Sequence, residues 1–205
     1  MEECGIDEAG RGPLIGPMVM AILCGNRKEL ENIGVADSKK LSPQRREQLF
    51  VDLQAFNHSF VVINPSEIDE YVEHKKLNEL EEKYASKLAL WAPVEAIIYV
   101  DSFDVNESRL QLKLATNSGR KIICRHKADE IYPAVSAASI VAKVIRDREI
   151  EKLHEKYGDF GSGYPSDPRT INFVKNALKD GKDIDKIVRH QWKTYKSMLN
   201  RKLIY

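Results

Sequence analysis

The sequence predicts an α/β protein with a five-stranded sheet, flanking helices and a helical C-terminal appendage. Short apolar runs rich in β-branched residues alternate with segments of helical periodicity up to about residue 158, which is typical of an α/β core. Beyond that point only helical patterns remain. The connecting loop 158–168 contains three glycines and two prolines, so it is a natural boundary. We therefore predict a core over 1–158 and a helical C-terminal subdomain over 159–205, together forming one compact unit.

Five segments have the short length and the β-branched content of strands. They are residues 4–7, 18–24, 60–64, 96–101 and 121–125. Ser42 and Pro43 begin a helix that we expect to run to about residue 56, because Ser is a favourable N-cap and Pro fits the first turn. Further helices are predicted over 66–74, 77–91, 133–157, 168–178 and 184–199. Residues 107–117 remain ambiguous, because Leu110, Leu112 and Leu114 alternate as in a strand while the composition favours a helix.

Charge is unevenly distributed along the chain. The net charge is only +1, yet residues 169–205 contain ten Lys and Arg against three Asp. Such asymmetry indicates a polyanionic partner for the basic part. Four basic residues of the last predicted helix could follow a duplex backbone, or could form an ordinary solvated face: Lys186, Arg189, Lys193 and Lys196.

The three cysteines, Cys4, Cys24 and Cys124, lie in apolar runs without CxxC spacing. This pattern argues against a zinc site and against a disulfide framework, and it fits a reducing cytoplasm. The N-terminus shows no secretory signal, and the apolar runs are too short to cross a membrane. We therefore expect a cytoplasmic protein.

Carboxylates follow three of the predicted strands. Asp7 and Glu8 end the first strand, Asp101 ends the fourth, and Asp129 lies just past the fifth. Ligands bind at the carboxyl ends of strands in open α/β sheets, and hard oxygen ligands suit Mg²⁺ or Mn²⁺ rather than Zn²⁺. A single strand-end Asp is more often a cap of a turn or helix, but three such sites in register favour a metal site.

Several motifs resemble one known family, and they occur in its order through nearly the whole chain. They are GIDEAGRGPLIGPMV from residue 5, DSKKLS from residue 37, YVDSFD from residue 99, HKADEIYPAVSAASIVAKVIRDR from residue 126 and GSGYPSDPRT from residue 161. This combination resembles ribonuclease HII, the type 2 ribonuclease H of prokaryotes, archaea included. The resemblance implies a ribonuclease-H-like fold with a mixed five-stranded sheet.

The resemblance also implies an activity: hydrolysis of the RNA strand of RNA–DNA hybrids, and cleavage at single ribonucleotides in duplex DNA. Two Mg²⁺ or Mn²⁺ ions would act together and leave 3′-hydroxyl and 5′-phosphate ends. The family's role would be in DNA replication and ribonucleotide excision repair. We expect a monomer, and we find no clear sliding-clamp motif.

Matching positions assign roles to ten residues. The catalytic acids and metal ligands would be Asp7, Glu8, Asp101 and Asp129. Gly10, Arg11 and Gly12 match the turn that reads the ribose 2′-hydroxyl, and Tyr164 matches the tyrosine that packs at the RNA-to-DNA step. Lys39 and Lys143 fall in motifs that the family places near substrate phosphates.

Two other classes of protein remain as competing hypotheses. A ribonuclease-H-like module that binds hybrid duplex without cutting it would have no need for all four acids. An actin-like kinase or ATPase would need two phosphate loops and more chain than 205 residues. A metal-dependent cleavage assay with hybrid and with ATP separates the three.

Overall fold

The computed structural model describes residues 2–35 and 41–202. It contains a mixed five-stranded sheet with the strand order β3-β2-β1-β4-β5. The strands are β1 (Glu2–Ala9), β2 (Met18–Asn26), β3 (Asn57–Ile63), β4 (Ile97–Asp101) and β5 (Lys121–Arg125). Strand β1 runs antiparallel to β2 and parallel to β4, and β4 runs parallel to β5. The predicted α/β class and the mixed sheet are therefore confirmed.

Eight helices are described in these residues. They are α1 (Arg27–Ile33), α2 (Pro43–Leu53), α3 (Pro65–Glu73), α4 (Leu77–Trp91), α5 (Glu107–Ser118), α6 (Pro133–Tyr157), α7 (Pro168–Asp180) and α8 (Lys193–Lys202). Ser42 caps α2 as predicted, with its hydroxyl accepting a hydrogen bond from the Arg45 N–H at 3.2 Å. The ambiguous segment is a helix, α5, because Leu110 and Leu114 are buried one turn apart while Leu112 is 69% exposed.

One helix was not predicted, and one predicted helix is wrong over its first half. Helix α1 was missed: it is short, with Asn26 as N-cap and Gly34 in the left-handed conformation at its end. We predicted a helix over 184–199, but the helix observed there, α8, begins only at Lys193. The residues before it form turns and an isolated β-bridge between Val188 and Ile15. Ile184, Ile187 and Val188 have helical spacing, but they are buried through tertiary contacts of these turns.

The chain forms two compact units, each assembled from separate segments. The first comprises Met1–Ala9, Val19–Val62 and Asn78–Ile145, and the second comprises Gly10–Met18, Ile63–Leu77 and Arg146–Tyr205. These units do not coincide with 1–158 and 159–205, and the predicted core and C-terminal subdomain within one compact unit stay a prediction.

Each unit has its own hydrophobic core. In the first, the small residues of α6, such as Ala137 and Ala138, pack with β-strand and α2 side chains, among them Leu23 and Leu53. Strand β1 approaches the backbone of α6 closely at Gly5, where a Cβ would lie 2.2 Å from a backbone atom of Ala134. In the second unit, Leu14, Ile15 and Phe160 pack with Val174 of α7 and Val188.

A disulfide joins Cys4 to Cys24, so the expectation of no disulfide was wrong. The two residues are direct partners in the antiparallel register of β1 and β2, and their Cα atoms are 4.0 Å apart. The linear sequence does not show this register. Cys124 is a buried free thiol whose pKa burial raises to about 12. Among the helices described, none has the length and apolar character that a bilayer span requires.

Candidate active site

Three aspartates of the first unit form an acidic cluster. Asp7 lies near the end of β1, Asp101 ends β4, and Asp129 lies in a single 3₁₀ turn, Ala128–Glu130. Each offers a carboxylate oxygen, and these oxygens all lie within 4.8 Å of one another. The parallel register explains the meeting of the first two, because Ile6 lies opposite Val100 and the aspartates come next.

Local backbone geometry brings the third aspartate to the same place. Lys127 adopts a left-handed conformation with φ 57°, which reverses the chain after β5 and begins the 3₁₀ turn. The Ala128 N–H then donates to Asp101 Oδ1 at 3.0 Å. This bond ties the turn that carries Asp129 to the end of β4. Asp7 and Asp129 are buried and Asp101 is half-buried.

The cluster strongly perturbs the ionisation of Asp7. Burial and the neighbouring charge of Asp101 raise the pKa of Asp7 from 3.8 to about 7. The Ser139 hydroxyl, the Glu8 backbone N–H and the charge of Lys143 act in the opposite direction. Three crowded carboxylates of this kind favour a bound cation, because a dication offsets the cost of burial and the repulsion that together raise the pKa of Asp7. The all-oxygen donor set fits Mg²⁺ or Mn²⁺.

Glu8 is not part of the acidic cluster found among the described residues. Successive residues of a strand point to opposite faces, so Glu8 starts from the face opposite to Asp7. It is half-buried, and its N–H donates to Asp7 Oδ1 at 2.7 Å. Its role as a metal ligand stays a prediction. Lys143 of α6 acts electrostatically on Asp7, whereas Lys39 lies outside the described residues.

In the second unit, Arg189 holds the predicted Gly10–Gly12 turn. Its guanidinium is fully buried and donates to the carbonyls of Gly10 at 2.6 Å, Arg11 at 2.9 Å and Gly16 at 3.0 Å. The Trp192 indole N–H donates to the Gly12 carbonyl at 3.1 Å. All three carbonyls of the turn therefore accept hydrogen bonds from side chains of the segment before α8.

Tyr164 lies beside this turn, as its predicted role requires. A Cβ built on Gly12 would be 3.9 Å from Tyr164 Cε1. The ring lies over the guanidinium of Arg146, with 5.3 Å from the ring centroid to Cζ, and Tyr164 remains 38% exposed. Gly10 has φ +86°, and a Cβ there would be 2.3 Å from Arg146 Nε. Only glycine fits at position 10.

Comparison with known proteins agrees with this geometry. A family model described as Ribonuclease HII matches residues 4–195. The chain belongs to the ribonuclease HII family. A ribonuclease HII from Picrophilus torridus is 54% identical over 196 residues, which cover 96% of this chain and 96% of the relative. The chain is therefore a metal-dependent ribonuclease H, a phosphodiester hydrolase.

Two solved structures of similar proteins share the fold. The crystal structure of ribonuclease H2 from Pyrococcus horikoshii OT3 superposes with a TM-score of 0.87 at 44% identity, covering 98% of both chains. The ribonuclease HII of Archaeoglobus fulgidus, solved in a complex with PCNA, gives a TM-score of 0.88 at 44% identity and covers 96% of both chains. The ribonuclease-H-like fold expected from the sequence is thus confirmed.

Sequence reasoning missed two arginines of this ribonuclease HII. Arg189 was grouped with the basic residues of a surface helix, but it is buried and holds the Gly10–Gly12 turn. Arg146 belongs to the motif that begins at residue 126, and the sequence does not predict that it lies between Gly10 and Tyr164. Nothing in the sequence near either arginine indicates that its side chain is buried. Only the fold separates these two from solvated basic residues.

Proposed function

We propose that this ribonuclease HII hydrolyses the RNA strand of RNA–DNA hybrids and also cuts at single ribonucleotides embedded in duplex DNA. Cleavage would leave 3′-hydroxyl and 5′-phosphate ends. The observation that carries this proposal is the cluster of Asp7, Asp101 and Asp129, whose oxygens lie within 4.8 Å of one another. In a ribonuclease H, a compact all-carboxylate cluster suits metal-assisted phosphodiester hydrolysis.

Asp7, Asp101 and Asp129, with Glu8 as a fourth acid, would hold two Mg²⁺ or Mn²⁺ ions. Such ions supply an activated water and stabilise the leaving oxygen of an in-line displacement. Asp7 is our choice for the shared ligand, because its carboxylate is buried and feels the charge of Asp101 directly. Lys143, whose charge acts on Asp7, would counter the negative charge of a nearby substrate phosphate, and Lys39 would do the same from its own motif.

The Gly10–Gly12 turn would read the ribose 2′-hydroxyl through backbone N–H groups. The carbonyls of Gly10 and Arg11 bind Arg189, and none of the described peptide bonds is cis. In a trans peptide the N–H points opposite to the C=O, so the N–H groups of Arg11 and Gly12 point away from Arg189. Donors in this direction suit the 2′-oxygen, which distinguishes RNA from DNA. Tyr164 would pack on the neighbouring deoxyribose at the RNA-to-DNA step.

A single set of assays tests this function. The duplexes are one with a single embedded ribonucleotide, one continuous RNA–DNA hybrid and one all-DNA control, each with Mg²⁺, with Mn²⁺ and with a chelator. We expect cleavage of the first two duplexes only, and only with metal. Asp7→Asn should nearly abolish it, while Asp52→Asn, an exposed acid of α2, should not. Cleavage in chelator, or full turnover by Asp7→Asn, would contradict the two-metal proposal.

The cellular setting follows from the same function. We propose a cytoplasmic monomer that acts in DNA replication and ribonucleotide excision repair. The Archaeoglobus fulgidus relative was solved with PCNA, whereas our sequence shows no clear sliding-clamp motif, so a clamp partner is not part of the proposal. Gel filtration with light scattering, alone and with a sliding clamp, measures both expectations.

A further inference from the structure

Two buried arginines of the second unit lie against the Gly10–Gly12 turn without a carboxylate partner. Arg189 is fully buried. Among the described residues its N–H groups donate to backbone carbonyls, and its Cζ lies 4.9 Å from the centroid of the Trp192 ring. Arg146 is 6% exposed and lies under the Tyr164 ring. Within the described ranges, the Nε and Nη2 of Arg146 have no hydrogen-bond partner, and neither arginine takes part in an ion pair.

This arrangement is unfavourable for the protein alone. A buried cation without a counter-ion loses hydration. Backbone carbonyls restore part of it for Arg189, whereas Nε and Nη2 of Arg146 have no hydrogen-bond partner among the described residues. Burial, followed by the charge of Arg146, lowers the pKa of Arg189 to about 9. The acids that act on the pair from a distance are Asp147, near Arg146, and Asp69, near Arg189. Positive charge is therefore only partly compensated beneath the turn, and an arriving anion would stabilise it.

We propose that Arg146 and Arg189 make the Gly10–Gly12 turn an anion site that takes one backbone phosphate of the nucleic-acid strand. This proposal rests on the proposed function, because it supplies the phosphate beside the sugar that the turn reads. A low-dielectric surrounding strengthens the field of both cations at the exposed surface formed by Gly12 and Tyr164. Gly10 packs against Arg146 Nε, because a Cβ at position 10 would lie 2.3 Å from that atom. Arg146 would therefore act on the phosphate through its charge and not through a hydrogen bond from Nε.

Salt-dependent binding tests the proposal. Duplex affinity is measured in a chelator, so that no cleavage occurs, at several salt concentrations for wild type, Arg146→Met and Arg146→Lys. Arg146→Met should bind about tenfold more weakly at low salt, and its slope of log K against log salt should fall by about 0.9, the value for one phosphate contact. Arg146→Lys retains the charge and should keep the slope.

The matched control is Lys152→Met on the same helix. Lys152 is exposed and pairs with Glu149 at 2.6 Å, so its removal should leave the slope nearly unchanged. An unchanged slope in Arg146→Met, or an equal fall in Lys152→Met, would overturn the proposal. Normal cleavage by wild type together with an unchanged Arg146→Met slope contradicts this inference alone. Binding with the expected slopes but no cleavage contradicts only the proposed function.

A measurement on the wild type covers the case in which Arg146→Met fails to fold. The Arg146 side-chain Nε–H resonance, assigned by its loss in Arg146→Lys, is followed while duplex or inorganic phosphate is added in chelator. A shift with duplex supports the proposal, with or without a shift from inorganic phosphate. A shift with inorganic phosphate alone, or no shift with either, overturns a strand phosphate as the ligand.

Discussion

Substituting Asp7 by Asn should stabilise the metal-free protein while it removes activity. The pKa of Asp7 is raised from 3.8 to about 7 by burial and by Asp101. The difference of about three pH units corresponds to about 4 kcal/mol at 1.36 kcal/mol per unit. Because Asp101 shares the repulsion and the site relaxes after substitution, we expect Asp7→Asn to raise the free energy of unfolding by about 2–4 kcal/mol.

The sign of the pH dependence follows from the direction of the shift. The folded state holds the Asp7 proton more tightly than the unfolded chain, so raising the pH from about 4 to 7 destabilises the metal-free wild type. Asn does not titrate. The advantage of Asp7→Asn should therefore be full above about pH 7 and should vanish toward pH 4.

Urea unfolding in chelator at pH 5 and pH 8 measures this effect. Asp52→Asn is the control, because Asp52 is exposed on α2 and its removal should give no such pH-dependent gain. Adding Mg²⁺ or Mn²⁺ should stabilise the wild type and close the gap to Asp7→Asn, since a bound ion stabilises the folded state by mass action. Equal stabilities at pH 8 in chelator would refute the reasoning that burial and Asp101 raise the pKa of Asp7.

Three further predictions concern recognition and stability. Tyr164→Ala should lower the ratio of cleavage at a single ribonucleotide to cleavage of continuous hybrid by about tenfold, because one aromatic stacking contact contributes about 1–3 kcal/mol; an unchanged ratio would assign Tyr164 to packing. Gly5→Ala should cost about 3 kcal/mol, since its Cβ would lie 2.2 Å from the α6 backbone. Gly34→Ala, with open space around it, should cost only about 1 kcal/mol. Reducing the Cys4–Cys24 bond, which spans 20 residues, should cost about 3 kcal/mol in chemical unfolding, and a Cys4→Ser, Cys24→Ser double variant should not respond to reductant.

The acidic cluster could be predicted because its aspartates occupy recognisable positions in the local sequence pattern. Each aspartate ends, or closely follows, an apolar run of strand length, and parallel neighbours bring such ends to one edge of the sheet. Asp7 and Asp101 meet for this reason, through the register of Ile6 and Val100. The disulfide had no such signal. Cys4 and Cys24 face each other through the antiparallel register of β1 and β2, and their separation along the chain does not reveal it.

Arg189 shows why the second unit was harder to predict. The sequence around Arg189 has the pattern of an amphipathic, basic surface helix. Lys186 and Lys193 are basic neighbours, and Ile184 and Val188 have helical spacing. In the structure this segment turns instead, Val188 bridges to Ile15, and the guanidinium is buried against backbone carbonyls. Arg189 binds backbone carbonyls, and every residue has one. The sequence therefore does not show which carbonyls accept hydrogen bonds from a buried arginine. The Arg189 charge, which the sequence left open between a duplex-binding face and a solvated face, is instead buried beneath the Gly10–Gly12 turn and bound by backbone carbonyls.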